Sequence, residues 1–285
     1  MARVRPPKAA GGRACVRIPA RRRGHRGTPR RLAATSLLLV GGSLLLAFLI
    51  PAVLGLIEQA RYQVLAQGLR PPANQGNPES GSQGRSQGHL PNGVRAWLRI
   101  EGTPIDYPVA QADVRDPLFY LDHDPWGHPA RLGCPFVDAR CGPTSEHLVV
   151  YGHHFAGTTL MFSCLHDAHV PRNFEELAGR DLIWTDGRGE SRLRALCALR
   201  VPSDWPDVQR FDFGDDSSLP DFLRGICRSS SAKSPDAAVL CQAPTRAVTL
   251  VTCSSLWSGQ PWRTLVVYCE PGRARLSPVC GAEGE

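Results

Sequence analysis

A mainly β domain, barrel or sandwich, behind a single N-terminal transmembrane helix is the architecture that this 285-residue chain predicts. Three observations carry that reading. Leu32 to Ile57 contains no charged residue and follows a strongly basic tail. The stretch 71–93 is polar and almost devoid of large apolar side chains. From Val94 onward, short apolar runs are punctuated by Gly, Pro and Asp, the texture of closely spaced strands.

The tail comes first. Residues 1–31 hold eleven of the 33 Lys and Arg and no Asp or Glu, which leaves 22 basic against 26 acidic residues in the rest. The overall charge of +7 therefore describes the tail and not a folded face. A nucleic-acid partner is not expected. The apolar run 32–57 would span roughly 39 Å as a helix, enough to cross a bilayer with some tilt. Positive charge on its N-terminal side predicts a cytoplasmic N-terminus and an extracytoplasmic remainder. A cleaved signal peptide shares this order, but the run is long for one and lacks a good small-x-small site after Leu54. Residues 58–70 continue the helix or form a short amphipathic one, and 71–93 reads as a flexible linker.

Nine of the ten cysteines then lie outside: Cys134, Cys141, Cys164, Cys197, Cys227, Cys241, Cys253, Cys269 and Cys280. Thiols there tend to pair, and an odd number leaves one free or bridged between chains. Cys134–Cys141, Cys227–Cys241 and Cys269–Cys280 are locally plausible bridges, without fixing the connectivity. No CxxC pair occurs, which disfavours structural zinc and thioredoxin-like redox chemistry.

Strands are expected at Ala96–Ile100, Ile105–Val109, His147–Tyr151, Asp181–Thr185, Arg192–Val201, Ala247–Cys253 and Thr264–Cys269. Helical turns are expected around Met161–Leu165 and over Ser218–Cys227, where Ser218 can cap and Pro220 can start a helix. The long polar interval from Pro202 to Pro244 is of a size that is more often functional than idle.

Three residues stand out chemically. Cys253 ends the apolar strand AVTLVTC, so its thiol is fixed yet faces a polar loop. Ten residues on, Arg263 begins the strand RTLVVYC; if the two strands are neighbours, thiol and guanidinium share one rim. A guanidinium beside a thiol favours thiolate and can stabilise the oxyanion of acyl transfer. A cystine at Cys253 with a surface Arg263 is the plain alternative. In HLVVYGHHF a strand runs through Gly152 into His153, an imidazole able to take and return a proton near neutral pH. His25, His89, His128, His147, His166 and His169 read as surface or satisfied residues. Neighbouring residues of a regular strand face opposite ways, so His153 and His154, even with His123, make a poor metal site. Neither metal nor cofactor is expected.

The segments TLVTC (249–253) and YGH (151–153), with Arg263 downstream, resemble the sortase signature in its order of His, Cys and Arg. The runs WLRIEGTPIDYPVAQ (97–111), FYLDHD (119–124) and GCPFVD (133–138) resemble class B sortases in particular. This resemblance implies an eight-stranded sortase-type β-barrel with short helices, one of them in the connection before the nucleophile strand. It implies a cysteine transpeptidase that cleaves a C-terminal sorting signal on secreted proteins through a thioacyl-enzyme. Cys253 is then the nucleophile, His153 the proton carrier, Arg263 the oxyanion or substrate-backbone cation, and Thr252 an oxyanion or substrate contact. The acceptor implied is a cell-wall peptide crossbridge or a pilin lysine, and the setting a Gram-positive-type envelope. The expected organisation is a cytoplasmic tail (1–31), membrane anchor (32–57), juxtamembrane segment and linker (58–93), catalytic domain (94–270) and C-terminal tail (271–285). Two other functions fit the same residues: a cysteine peptidase using water, and a non-catalytic anchored module with Cys253 in a disulfide. The number of cysteines exceeds the family's usual pattern, and SSLWSGQPW (254–262) and the tail with Cys280 find no counterpart in it.

Overall fold

Residues such as Ala247 to Thr252, apolar or small in almost every position, suit a strand covered on both faces, and burial on both faces is what the sheet provides. The computed structural model describes residues 28–69, 93–214, 217–254 and 261–272. The chain divides into two units, 1–51 and 52–285. The first long element is helix α1 (Thr28–Leu69). Within it Ser36–Ile57 is long and apolar enough to cross a membrane, with large side chains such as Leu37, Leu38 and Phe48 exposed.

Among the described residues, the domain that follows has nine strands: β1 (Val94–Ile100), β2 (Asp106–Gln111), β3 (Phe136–Val137), β4 (His147–Tyr151), β5 (Asp181–Asp186), β6 (Gly189–Pro202), β7 (Ala232–Lys233), β8 (Pro244–Cys253) and β9 (Trp262–Pro271). Their order is β5-β1-β2-β3-β4-β8-β9-β6-β7, and a further β5–β6 pairing joins the first strand back to the eighth. Eight strands thus close a mixed barrel, and β7 is a two-residue addition to β6. The β2–β3 and β4–β8 pairs are parallel and the rest antiparallel. All seven anticipated strands are present. β3 and β7, two residues each, are too short to leave a periodic signal.

Alternation sorts the side chains into two cores. Val248, Leu250, Val266 and Tyr268 point into the barrel with Leu98, Ile100, Leu148, Val150 and Trp184. Ala247, Val251, Leu265, Val267 and Cys269 point outward, where the β6–β8 connection covers them. That connection carries the helices α3 (Leu219–Ser229) and α4 (Ala237–Leu240), and Leu219, Leu223, Ile226 and Leu240 supply its apolar face. The Ser218 hydroxyl accepts from the Asp221 amide and caps α3, with Pro220 in its first turn, as expected. Around 161–165 the chain makes a 3-10 turn, Ser163–Leu165. Two helices were not anticipated: α4, a single turn, and α2 (Pro171–Ala178), which buries only Phe174 and Leu177 and so shows too few apolar positions for a helical period.

Within the barrel wall His147 is fully buried. Its Nδ1 meets the Arg210 carbonyl at 2.6 Å and its Nε2 the Thr249 hydroxyl at 2.7 Å. Burial pushes this imidazole down to about 4, so it is neutral at pH 7. His147 is thus a satisfied structural residue.

Candidate active site

The rim of the barrel at the end of β8 gathers the residues singled out in the sequence. β8 and β9 are antiparallel neighbours, and Cys253 is paired directly with Arg263, Thr252 with Thr264. Side chains directly opposite in such a pair share a face, with Cβ atoms about 5 Å apart. The thiol and the guanidinium therefore stand side by side at the outer face. Cys253 is half-buried and carries a free thiol. Arg263 is half-buried too, and its Nη1 donates to the Trp262 carbonyl at 3.0 Å. Of the connecting segment SSLWSGQPW, 255–260 lie outside the described residues.

His153 reaches the same rim from the other side of β8. β4 runs parallel to β8 with Tyr151 level with Val251, and the Gly152 amide continues the ladder to the Val251 carbonyl at 3.0 Å. His153 follows two residues after Tyr151, as Cys253 follows two after Val251. Gly152 is required by packing: a Cβ there would lie 2.6–2.7 Å from two ring atoms of Phe162. Phe162 also donates its amide to the His153 carbonyl at 3.0 Å, so one residue clamps the backbone on both sides of the turn.

The imidazole is held in turn. Its Nε2 lies 2.7 Å from the Leu121 carbonyl. A carbonyl only accepts, so the proton of neutral His153 is assigned to Nε2, which leaves Nδ1 as the nitrogen able to take one. Leu121 closes a 3-10 turn, Phe119–Leu121. That turn is fixed from below by Gly133, whose φ of +59° and closeness to the Tyr120 and Leu121 carbonyls admit no side chain. The Cys134 amide bonds the Tyr120 carbonyl at 2.9 Å. FYLDHD and GCPFVD thus form one scaffold beneath the histidine. Spacing alone gave no sign of it, because the acceptor is a backbone group.

Thr252 is placed differently. Strand alternation turns its side chain to the face opposite Cys253, where its hydroxyl is buried with no hydrogen-bond partner among the described residues. The structure does not bring this hydroxyl to the thiol's side. A polar group that the sequence did not single out lies nearby: Asp138 accepts from the Tyr151 hydroxyl at 3.0 Å and from Arg140 at 2.8 Å. His154 stacks on His166, with ring centroids 4.5 Å apart, away from the His153 contacts.

Eight cysteines fall in the described residues, and all are thiols. Cys134 hydrogen-bonds to the Pro108 and Pro135 carbonyls and Cys141 to that of His147, so these two are directed to different partners. Cys280, and with it the Cys269–Cys280 pairing, lies outside the described residues, as does Cys15.

No protein-family model matches the chain. It is 26% identical to Sortase B of Staphylococcus aureus over 213 residues, which is 74% of this chain and 83% of that protein. Among solved structures it is similar to the Staphylococcus aureus sortase B–substrate complex, with a TM-score of 0.59 and 25% identity, covering 74% of this chain and 95% of that one. It is likewise similar to a structure of sortase B complexed with triglycine, with a TM-score of 0.52 and 26% identity, covering 63% of this chain and 80% of the other. The closed eight-stranded barrel matches these sortase structures, and the likenesses together support a class B sortase, a sortase-type cysteine transpeptidase.

Proposed function

We propose that the chain is anchored in a membrane by the apolar part of α1 and acts outside it on the C-terminal sorting signals of secreted proteins. The observation that carries the site assignment is the direct pairing of Cys253 with Arg263, on a rim that His153 shares. In this reading the Cys253 sulfur, its proton taken by His153, attacks the scissile carbonyl. The oxyanion of the tetrahedral intermediate forms beside the Arg263 guanidinium, whose charge stabilises it. His153 returns the proton to the leaving amine, and a thioester to Cys253 remains. An incoming amine then attacks the thioester and gives its proton to His153, and the sulfur leaves and is reprotonated. The new amide is the product. Thr252, on the inner face, contributes by fixing the backbone next to Cys253.

Solved relatives hold a substrate in one case and triglycine in another, which supports a peptide donor and an amine acceptor. A cell-wall crossbridge suits that acceptor chemistry better than a pilin lysine. The module reading needs Cys253 in a cystine, and its free thiol supports the transpeptidase reading over it. The test is acyl-enzyme trapping by intact mass on the full chain, with a small library of sorting peptides. An adduct is expected on the wild type, none on Cys253→Ala, and added triglycine should divert it to an amide. Free acid alone at every triglycine concentration would reject transpeptidation in favour of hydrolysis.

A further inference from the structure

Four cysteines that the proposed reaction does not use lie together under the β6–β8 connection. Cys197 on β6 and Cys269 on β9 are fully buried on the outer barrel face, and Cys241 and Cys227 close over them from the end of α4 and the last turn of α3. Cys227 is the centre of the group. Its Sγ lies 3.9 Å from that of Cys241, and its thiol also hydrogen-bonds to that of Cys197. The two backbones are already tied: Arg224 of α3 donates to the Cys241 carbonyl at 3.1 Å. The sulfurs are about 1.9 Å farther apart than the bonded distance of about 2.05 Å.

We propose that Cys227 and Cys241 form a disulfide in the mature protein, stapling α3 to the turn that leads into the strand of Cys253. Two thiols and the disulfide of an extracytoplasmic thiol oxidase, or of a small-molecule disulfide, exchange to give the Cys227–Cys241 bond and two thiols on the oxidant. The two electrons and two protons pass to that oxidant.

Position selects the pair. Cys227 faces Cys241 at 3.9 Å between two short helices, whereas Cys197 is held in a barrel strand and Cys269 is directed at the Leu240 carbonyl. Among the described residues no three His, Cys, Asp or Glu side chains converge as a metal site. Interaction with the Cys197 thiol and burial, outweighing the lowering effect of the hydrogen bond to Cys241, push the Cys227 thiol up to about 12. Hydrogen bonding to Cys227, with burial, pushes Cys241 up as well. Once α3 has docked, neither thiol ionises at neutral pH and exchange is slow.

This inference rests on the extracytoplasmic placement proposed above, and its test separates the two. Intact cells producing the full chain are alkylated without reduction, and the protein is digested with trypsin. Cleavage after Arg194, Arg200, Arg224, Arg228, Lys233 and Arg246 releases Cys197 in 195–200, Cys227 in 225–228 and Cys241 in 234–246. Peptide 225–228 is expected linked to 234–246, the pair separating on reduction. The purified chain should melt roughly 5–10 °C lower with reductant, and a Cys227→Ser/Cys241→Ser double variant should show no such shift. A 225–228 to 195–200 link would overturn the pairing. So would alkylation of both residues in cells whose domain is digested by externally added protease. Free thiols in a domain protected from that protease would instead contradict the placement, and with it the disulfide.

Discussion

Cys253 and Cys269 are the same side chain on the same ladder, one on β8 and one on β9, and the contrast between them separates chemistry from packing. Cys269 lies deep under the β6–β8 connection, and burial pushes its thiol up to about 12. Cys141 and Cys164, also pushed up by burial, to about 11, are of the same kind. Cys253 sits where the strand runs out, half-buried and opposite a guanidinium. A thiol acts as a nucleophile through its thiolate, which an apolar interior penalises and a neighbouring cation favours. Position along a strand, more than residue type, decides which sulfur can react.

Substitutions at the rim sharpen that contrast most. Arg263→Ala and His153→Ala should each lower kcat/KM by at least ~100-fold with the fold's melting temperature nearly unchanged. Arg263→Lys should recover only part of the loss, because the planar fork is replaced by a point charge. Retention of wild-type turnover by Arg263→Ala would remove the guanidinium from the mechanism. Gly152→Ala comes next. Its Cβ meets the Phe162 ring, so the turn holding His153 must shift, with a destabilisation of about 1–3 kcal/mol and turnover reduced on the order of tenfold.

The barrel wall should respond to pH in a different way from the rim. His147 has a folded pKa of about 4, below its unfolded value of about 6.5, so the unfolded chain binds the extra proton between these values. Its contribution is complete above about pH 6.5 and is lost as pH falls toward 4, up to ~3 kcal/mol. Denaturant midpoints measured across pH 4–7 should show the loss; a flat profile would mean that His147 is protonated while folded. Thr252→Val should have the smallest effect, within ~1 kcal/mol of stability and without a large change in kcat/KM, since its buried hydroxyl has no partner among the described residues. A loss comparable to that at Arg263 would restore the hydroxyl to direct substrate contact.

Much of this was legible before any coordinates. The apolar runs marked the strands because a barrel wall buried on both faces needs them continuous, and the ten-residue spacing of Cys253 and Arg263 anticipated two adjacent strands. Ser218 followed by Pro220 marked the start of α3. The parallel β4–β8 pairing that brings His153 to the rim has no local signal, since the partners are about a hundred residues apart; the family resemblance gave His153 its role but not this pairing. The Leu121 carbonyl that orients His153 has no signal at all, because every residue carries a carbonyl. Thr252 was read as a site residue from the family resemblance, and strand alternation turns it inward.

Competitive labelling tests the central claim most directly. The folded chain is treated with limiting iodoacetamide at neutral pH, and labelled peptides are matched to residual transpeptidation as the reaction proceeds. Loss of activity should follow labelling of Cys253 one for one, while Cys141, Cys164, Cys197 and Cys269 stay unmodified until the protein is unfolded. Full labelling of Cys253 with activity intact, or activity lost while Cys253 remains a thiol, would contradict its assignment as the nucleophile.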